Sequence, residues 1–159
     1  MVSRVQLALN VADLDEAIAF YSKLFATEPA KVRPGYANFA VADPPLKLVL
    51  IEAADQVPGS LNHLGVEVAS TEEVSAAAAR LAAEGMATAV EENTSCCFAV
   101  QDKVWVDGPG GEPWEIYTVL ADTEHPAGEL RSVEPGSSAC CATRPELAAP
   151  VAAGGSSCC

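Results

Sequence analysis

The chain has 159 residues, a mass of 16.4 kDa and a formal net charge of −13 at neutral pH. Half of the residues are hydrophobic, which is typical of a soluble globular domain with one core. The first 120 residues hold 7 basic and 17 acidic side chains, and this acidity argues against nucleic acid or an anionic membrane as a partner. No apolar run approaches the roughly 20 residues that span a bilayer, and the N-terminus lacks a signal-peptide pattern, so we expect a cytoplasmic protein.

The sequence repeats itself with an offset of 57 residues. QLALNVADLDEA, from Gln6, aligns without a gap with HLGVEVASTEEV, from His63. Each copy alternates like a strand and then carries a helix start signal with capping-box spacing, D-x-x-E in the first copy and S-x-x-E in the second. An amphipathic helix follows in each, and Gly85 is well placed to end the second one. The repeat predicts two modules with the same element order.

Three short strand-like runs follow each helix. They are AKV, YANFAVA and KLVLIE in the first copy and TAVEE, CFAVQDKVWV and WEIYTV in the second. One βαβββ module cannot cover its own sheet, so the two should pair. We therefore predict an α+β domain over residues 1–121, with module 1 at about 1–57 and module 2 at about 58–121. The modules should be related by a pseudo-twofold axis and enclose a half-open, barrel-like cavity.

Residues 122–159 differ in composition from the rest of the chain. They are rich in Ala, Gly, Ser and Pro and show no apolar periodicity, which predicts a disordered tail. His125 in this tail is interpreted as a solvated side chain. The tail also carries two cysteine pairs, which either scavenge metal or have no role: Cys140-Cys141 and Cys158-Cys159.

Gln6, His63 and Glu115 are candidate metal ligands. Gln6 and His63 occupy equivalent positions on the first strand of each module, and these strands could meet near the twofold axis. Glu115 lies between Trp114 and Ile116 in a buried-looking strand, where a carboxylate is costly unless it is paired or bound to a metal. Amide, imidazole and carboxylate donors suit a divalent first-row metal. A lone histidine of this kind is more often an ordinary core residue, and Glu52 and Glu67 are rival carboxylates.

All six cysteines occur as adjacent pairs, and Cys96-Cys97 is the pair inside the folded part. Adjacent cysteines are poor disulfide partners for each other, because the ring would be strained. In a reducing cytosol such a pair remains a dithiol available to soft metals and metalloids. Neighbouring residues of a regular strand face opposite sides, so we predict a loop or irregular turn around residues 93–97 that brings both sulfurs to one side.

The paired modules resemble the vicinal oxygen chelate superfamily, which includes glyoxalases, bleomycin-resistance proteins and extradiol dioxygenases. Within it, TSCCFAVQDKVWV followed by GPGGEPWEIYTVL resembles the cadmium-induced proteins and the carbon–arsenic lyases of actinobacteria and bacilli. RVQLALNVADL, RPGYANFAVADPPLKLVL and LNHLGVEV extend this likeness over roughly residues 1–123.

The resemblance implies a non-haem Fe(II)-dependent dioxygenase that cleaves the C–As bond of trivalent organoarsenicals, with O₂ as co-substrate. The metal ligands and catalytic residues would be Gln6, His63 and Glu115, and the metal would be iron or another divalent first-row ion. The arsenic would be held by the pair Cys96 and Cys97. By their positions after the cysteine pair, Lys103 and Gln101 either help to bind and orient substrate or oxygen, or face solvent on the strand. Tyr117, on the same face as Glu115, is a candidate for a supporting role.

Two other readings use the same residues differently. The chain is alternatively a thiol-rich protein that binds cadmium or arsenic without catalysis. A glyoxalase-like or antibiotic-binding role ranks lower, because it gives the dithiol no purpose and because the last strand of module 1, LKLVLIE, is apolar where glyoxalases carry a fourth metal ligand. Assembly is open between a monomer and a homodimer.

Overall fold

The computed structural model describes residues 2–124 and 146–149. Two helices and eight strands follow one another in the predicted order, with the pattern βαβββ occurring twice. Their bounds are β1 Arg4–Val11, α1 Leu14–Phe25, β2 Lys31–Arg33, β3 Tyr36–Val41, β4 Leu46–Glu52, β5 Leu61–Glu67, α2 Thr71–Ala83, β6 Ala89–Cys96, β7 Ala99–Asp107 and β8 Pro113–Asp122.

All eight strands form one curled sheet in the order β2-β3-β4-β1-β5-β8-β7-β6. The strands β1 and β5 are antiparallel neighbours at the centre, and each pairs on its other side with the parallel last strand of its own module. The two halves of the sheet therefore repeat one topology about a central pseudo-twofold axis. This arrangement confirms the predicted α+β fold with a half-barrel.

Both helices cover the convex face of the sheet. α1 packs on a cluster that includes Phe39, Leu48 and Leu50, and α2 packs on a second cluster that includes Val104. Burial of the apolar residues on that side of each strand stabilises the fold, by roughly 25 cal/mol for each Å² of apolar surface removed from water. Leu24 does not belong to the packed face of α1, because 58% of its surface is exposed.

The predicted helix starts are confirmed by hydrogen bonds. The Asp13 side chain accepts from the Glu16 backbone N–H at 2.8 Å, and the Ser70 hydroxyl accepts from the Glu73 N–H at 3.4 Å. α2 ends just before Gly85, which adopts a φ of +78°. These caps fix where each helix leaves the first strand of its module.

The concave face of the sheet is unusually polar for a buried surface. Alternation along the central strands directs two sets of residues to this side: Gln6, Ala8 and Asn10 from β1, and His63, Gly65 and Glu67 from β5. All six of these residues are buried. Buried polar groups need partners, so this face is where a functional site is expected.

The predicted tail lies mostly outside the described residues, as do His125 and the two distal cysteine pairs. Within the described part, Ala148 forms an isolated antiparallel bridge with Thr88. The domain bounds and the disorder of residues 122–159 remain predictions. Of the helices in the described residues, none has the length and apolar character needed to cross a membrane.

Candidate metal and thiol site

The three predicted metal ligands converge at the centre of the concave face. Gln6 on β1 lies opposite Gly65 on β5, and Gly65 lies in turn beside Glu115 on β8. A Cβ atom at Gly65 would come within 3.1 Å of the Glu115 Cγ and 3.3 Å of the Gln6 Cβ. The glycine therefore gives the two flanking side chains the space to meet, as glycines inside strands often do. His63 reaches the same point from two residues earlier on β5.

The donor atoms of these residues form a small triangle. Gln6 Nε2 lies 3.0 Å from His63 Nε2 and 2.8 Å from Glu115 Oε1, and the latter two atoms are 3.4 Å apart. Donors bound to one metal ion at about 2.0–2.2 Å are themselves separated by roughly 3 Å. The triangle therefore has the dimensions of one face of a coordination polyhedron. In the part of the chain that is described, no three residues drawn from His, Cys, Asp and Glu cluster like this, so the amide is essential to the set.

Asn62 fixes the orientation of the His63 ring. The His63 Nδ1 atom lies 2.7 Å from Asn62 Oδ1, and because a carbonyl oxygen only accepts, the ring proton is assigned to Nδ1. Asn62 Nδ2 donates to Asn10 Oδ1, and Asn10 Nδ2 donates to the Ser60 hydroxyl, both at 3.0 Å. This chain of hydrogen bonds leaves the lone pair of His63 Nε2 directed at the triangle, as metal-binding histidines require.

Lys103 holds the other side of the Glu115 carboxylate. Its Nζ donates to Glu115 Oε2 at 2.7 Å, and both side chains are almost completely buried. Burial alone would raise the pKa of Glu115, but the Lys103 ammonium and His63 outweigh it and lower the pKa to about 2. Glu115 is therefore an anion at neutral pH, with Oε2 engaged by Lys103 and Oε1 facing Gln6 and His63.

Tyr117 and Lys47 complete the floor of the site. The Tyr117 hydroxyl donates to Gln6 Oε1 at 2.5 Å, and the Lys47 Nζ lies 5.0 Å from the centroid of the Tyr117 ring. Burial raises the pKa of Tyr117 and lowers the pKa of Lys47. The tyrosine is therefore a neutral hydroxyl at every physiological pH, able both to donate and to accept.

The cysteine pair lies at a tight hairpin turn. Cys96 ends β6 and pairs with Ala99, and the two residues between them, Cys97 and Phe98, have φ values of +49° and +63°. Positive φ at both central residues is the pattern of a type I′ turn, which rarely uses side chains as large as these. The turn brings the two sulfur atoms within 3.5 Å of each other.

The sequence predicted a loop or irregular turn around residues 93–97, and the structure has irregular backbone there but no loop. Strand β6 continues through Cys96, with a bulge between Glu91 and Thr94 where Asn93 has a φ of +50°. The Asn93 N–H donates to Asp102 Oδ1 at 2.7 Å, and the Thr71 hydroxyl at the start of α2 donates to the other oxygen of Asp102. The irregularity needed to direct both sulfurs to one side is therefore divided between a bulge and a two-residue turn.

The turn folds across the cavity onto module 1. Phe98 packs against Tyr36 with ring centroids 5.5 Å apart, and both cysteines belong to the same buried cluster. The Phe98 carbonyl accepts from the Thr123 N–H at 2.9 Å and from Lys31 Nζ at 3.4 Å. Lys31 also pairs with Asp122. These contacts join strand β2 of module 1 to the thiol turn of module 2.

Cys96 takes part in a disulfide bond in this structure. The 3.5 Å between its sulfur and that of Cys97 is far longer than a bonded S–S distance of about 2.05 Å, so Cys97 is not its partner. The expectation that adjacent cysteines do not bridge each other therefore holds. The pair becomes a dithiol once Cys96 is reduced.

The triad, the cysteine pair and Lys103 face one small cavity of about 10 Å³, which is room for about one water molecule. A larger open cleft of about 520 Å³ runs along the start of α1, but its lining carries neither His nor Cys. The small cavity is the candidate site, because buried polar groups converge there. Its lining residues are Gln6, Tyr36, Lys47, Val49, His63, Cys96, Cys97, Gln101, Lys103 and Glu115.

Val49 occupies the position where a fourth metal ligand would be expected. Ala8 and Gly65 hold the same position in the two copies of the repeat. Val49 pairs with Ala8 and Glu115 pairs with Gly65, so Val49 is the module 1 counterpart of Glu115. This agrees with the apolar character predicted for the strand. The rival carboxylates lie elsewhere: Glu67 is paired with Arg4 at 2.6 Å, and Glu52 is exposed at the end of β4.

Four residues that contribute to this site were not predicted from the sequence. Lys47 was included in a strand read as apolar, although a lysine between leucines carries the same signal of a buried charge that was recognised at Glu115. Gly65 inside a strand was a second available signal. Asn62 and Asn10 gave no signal, because their roles depend on the antiparallel register of β1 and β5.

The curled eight-stranded sheet, with polar side chains converging on its central strands, is the architecture of one large superfamily. The chain belongs to the glyoxalase/bleomycin resistance protein/dioxygenase superfamily, whose family model matches residues 3–116. It also resembles the Mn(II)-bound glyoxalase from Novosphingobium aromaticivorans, with a TM-score of 0.55 and 20% identity over 82% of this chain and 44% of that one. At that identity the likeness shows the fold alone.

Two curated relatives are much more similar in sequence. A trivalent organoarsenical cleaving enzyme from Thermomonospora curvata is 58% identical over 157 residues, covering 99% of this chain and 100% of the relative. A cadmium-induced protein from Mycobacterium tuberculosis is 67% identical over 123 residues, covering 77% of this chain and 80% of the relative.

Proposed function

We propose that this protein is an Fe(II)-dependent dioxygenase that cleaves the C–As bond of trivalent organoarsenicals such as methylarsenite and aryl arsenites. The observation that carries the proposal is the placement of two different binding sets in one cavity. A three-donor triangle suited to a divalent metal faces the same space as two sulfur atoms 3.5 Å apart. The relative that cleaves organoarsenicals covers the whole chain, which supports this substrate class.

Gln6, His63 and Glu115 would hold the metal. The fit rests on the donor triangle and on the space left by Gly65, and a divalent metal is consistent with the Mn(II) named in one relative of this fold. Iron or another first-row ion in this site would supply the redox chemistry that allows O₂ to react with an organic group. Lys103 would keep the Glu115 carboxylate ionised and turned toward the other two ligands.

The cysteine pair would hold the substrate. A monoalkyl or monoaryl arsenite has two exchangeable hydroxyls, and two neighbouring thiolates replace both, so that the C–As bond is the only other bond on arsenic. The turn at Cys97 and Phe98 is what allows two adjacent residues to act together. Because the cavity is nearly closed, entry of substrate requires the turn to move away from Tyr36.

The products follow from the balance of the reaction. Methylarsenite and one molecule of O₂ contain the same atoms and electrons as formaldehyde and inorganic arsenite. One oxygen atom becomes the carbonyl oxygen of formaldehyde, and the other replaces carbon on arsenic. No additional reductant is needed, which is consistent with a dioxygenase.

Lys103 and Gln101 line the cavity beside the cysteines, and Gln101 Oε1 is buried without a hydrogen-bond partner within the described residues.

Arsenic speciation tests the proposal. Reduced protein is loaded anaerobically with Fe(II) and then exposed to air with a tenfold excess of methylarsenite. We expect several equivalents of arsenite and of formaldehyde per protein. Cys96→Ser and Cys97→Ser should abolish turnover while Fe(II) binding persists. C–As cleavage by either cysteine variant at the wild-type rate would remove the dithiol from the mechanism.

A second candidate is a cadmium- or arsenic-binding thiol protein without catalysis, favoured by the 67% identity to a cadmium-induced protein. The same assay separates the two candidates. A binding protein would take up arsenic in a fixed stoichiometry and return methylarsenite unchanged on denaturation. A dioxygenase continues to release arsenite after its binding capacity has been exceeded.

A further inference from the structure

The side-chain amide of Gln6 presents the wrong atom to the centre of the donor triangle. Its Nε2 donates to Glu115 Oε1 at 2.8 Å and lies 3.0 Å from the acceptor Nε2 of His63, whereas its Oε1 accepts from the Tyr117 hydroxyl at 2.5 Å. An amide nitrogen has no lone pair to give a metal, and only the amide oxygen can bind one. In this arrangement the amide nitrogen of Gln6, and not its oxygen, faces His63 and Glu115.

A half-turn of the amide would exchange the two atoms. Oε1 would then face the triangle, and Nε2 would face Tyr117. Gln6 and Tyr117 are both buried, at 3% and 0% exposure, so an Nε2 group without an acceptor would be costly there. A tyrosine hydroxyl is both a donor and an acceptor, and the same oxygen can therefore serve either orientation of the amide.

We propose that Tyr117 is a positioning residue that lets Gln6 become a metal ligand, by donating to its Oε1 before metal binding and accepting from its Nε2 afterwards. This inference rests on the metal site of the proposed function. Removing the Tyr117 hydroxyl should therefore destabilise the metal-bound state more than the metal-free state. Without metal, Gln6 keeps its contacts with His63 and Glu115 through Nε2, whereas with metal that nitrogen would have no protein acceptor.

Titration of metal-free protein with Co(II), followed by its visible absorption, tests the role of Tyr117. We expect Tyr117→Phe to raise the Kd by about tenfold or more, the usual effect of removing a group that orients a metal ligand. In a Gln6→Ala background the same substitution should change the Kd less than about twofold, since there is no amide to orient. Tyr21→Phe is the matched control, because Tyr21 lies on α1, where its ring packs against Phe20 and Phe25.

The outcomes separate this inference from the proposed function. If the wild-type protein does not bind Co(II), both fail. If it binds and Tyr117→Phe has no effect, or has the same effect in the Gln6→Ala background, only the role of Tyr117 is overturned.

A measurement on the wild-type protein tests the amide turn directly, whether or not the variants fold. In NMR spectra with Zn(II), the Gln6 side-chain amide protons should gain contacts with the Tyr117 ring and lose those with His63. Unchanged contacts on Zn(II) binding would contradict the turn.

Discussion

His63 Nε2 lies 3.0 Å from the Gln6 side-chain amide, and the two residues hold the same position in the two copies of the repeat. A duplicated strand has thus produced two different donors beside its own symmetry axis. Glu115 supplies the third donor from module 2 alone, because its module 1 counterpart is Val49. The site therefore departs from the symmetry of the scaffold that builds it.

Asn62 is expected to control metal affinity through His63. Asn62→Ala removes the acceptor that holds the proton on Nδ1, so the ring can rotate or change tautomer. We expect the Kd for Co(II) to rise by about 10- to 100-fold. Asn38→Ala, which removes another buried asparagine of the concave face, is the control and should leave the Kd within about twofold. Equal effects of the two substitutions would show that Asn62 acts only through the fold.

Gly65 is expected to be needed for space. A methyl group at this position meets backbone and side-chain atoms of Glu115 and Gln6 at 3.1–3.3 Å. Gly65→Ala should therefore separate the two ligands and weaken metal binding. Gly35→Ala is the contrast: its Cβ would meet open space, but its φ of +70° makes any side chain strained. We expect the first variant to lose metal affinity and the second to lose only thermal stability, as measured by titration and by Tm.

Lys103 is expected to stabilise the metal-free fold by pairing with Glu115. Lys103→Met leaves a carboxylate buried without its cation, which costs about 3–5 kcal/mol. The low pKa of Glu115 contributes stability that is present above about pH 4.5 and lost as the pH falls toward 2. In the variant the pKa should rise, so the difference from wild type should shrink on acidification. Urea unfolding at pH 7 and pH 4 measures this.

Lys47 provides the control for Lys103. It is buried in the same cavity but forms no ion pair within the described residues. Lys47→Met should cost less stability at pH 7 than Lys103→Met. A pH-independent loss in Lys103→Met, or an equal loss in both variants, would contradict the account of the Glu115 charge.

Lys31 is expected to hold the thiol turn closed. Its ammonium bonds the Phe98 carbonyl and the Asp122 carboxylate, although it belongs to the opposite module. Lys31→Met should raise amide hydrogen exchange at residues 96–99 several-fold and leave exchange in β1 unchanged. Lys23→Met, in the last turn of α1, is the charge-matched control. If exchange at the turn did not respond, Lys31 would not be needed to hold it, and the packing against Tyr36 and the hydrogen bond from Thr123 would be sufficient.

The repeat made much of this structure predictable. Matching Gln6 with His63 predicted that β1 and β5 meet, and a glutamate between Trp114 and Ile116 predicted a buried carboxylate nearby. Both inferences depend on patterns that survive in a single sequence, namely duplication and an unexpected charge in an apolar strand. The roles of these residues as metal ligands remain proposals.

The thiol turn was less predictable because its conformation opposes local preference. Cys97 and Phe98 are both at positive φ without being glycine or asparagine, so their residue types gave no indication of a turn at these two positions. The turn is held by distant partners, Tyr36, Lys31 and Thr123. Such tertiary contacts override the local backbone preferences of the residues, and they cannot be predicted from the neighbouring residues in the sequence. Leu24 has the apolar spacing of the packed face of α1 but is exposed, because the spacing of apolar residues along a helix does not define how wide its packed face is.

The central claim is that one cavity presents an arsenic-bound substrate to a three-ligand metal. The most direct test is a crystal of the reduced protein grown anaerobically with Fe(II) and methylarsenite, with anomalous scattering recorded at the iron and arsenic edges. We expect one iron peak bounded by Gln6, His63 and Glu115, and one arsenic peak bonded to the sulfurs of Cys96 and Cys97 in the same cavity. Iron bound elsewhere, or arsenic held away from this pair, would contradict the account.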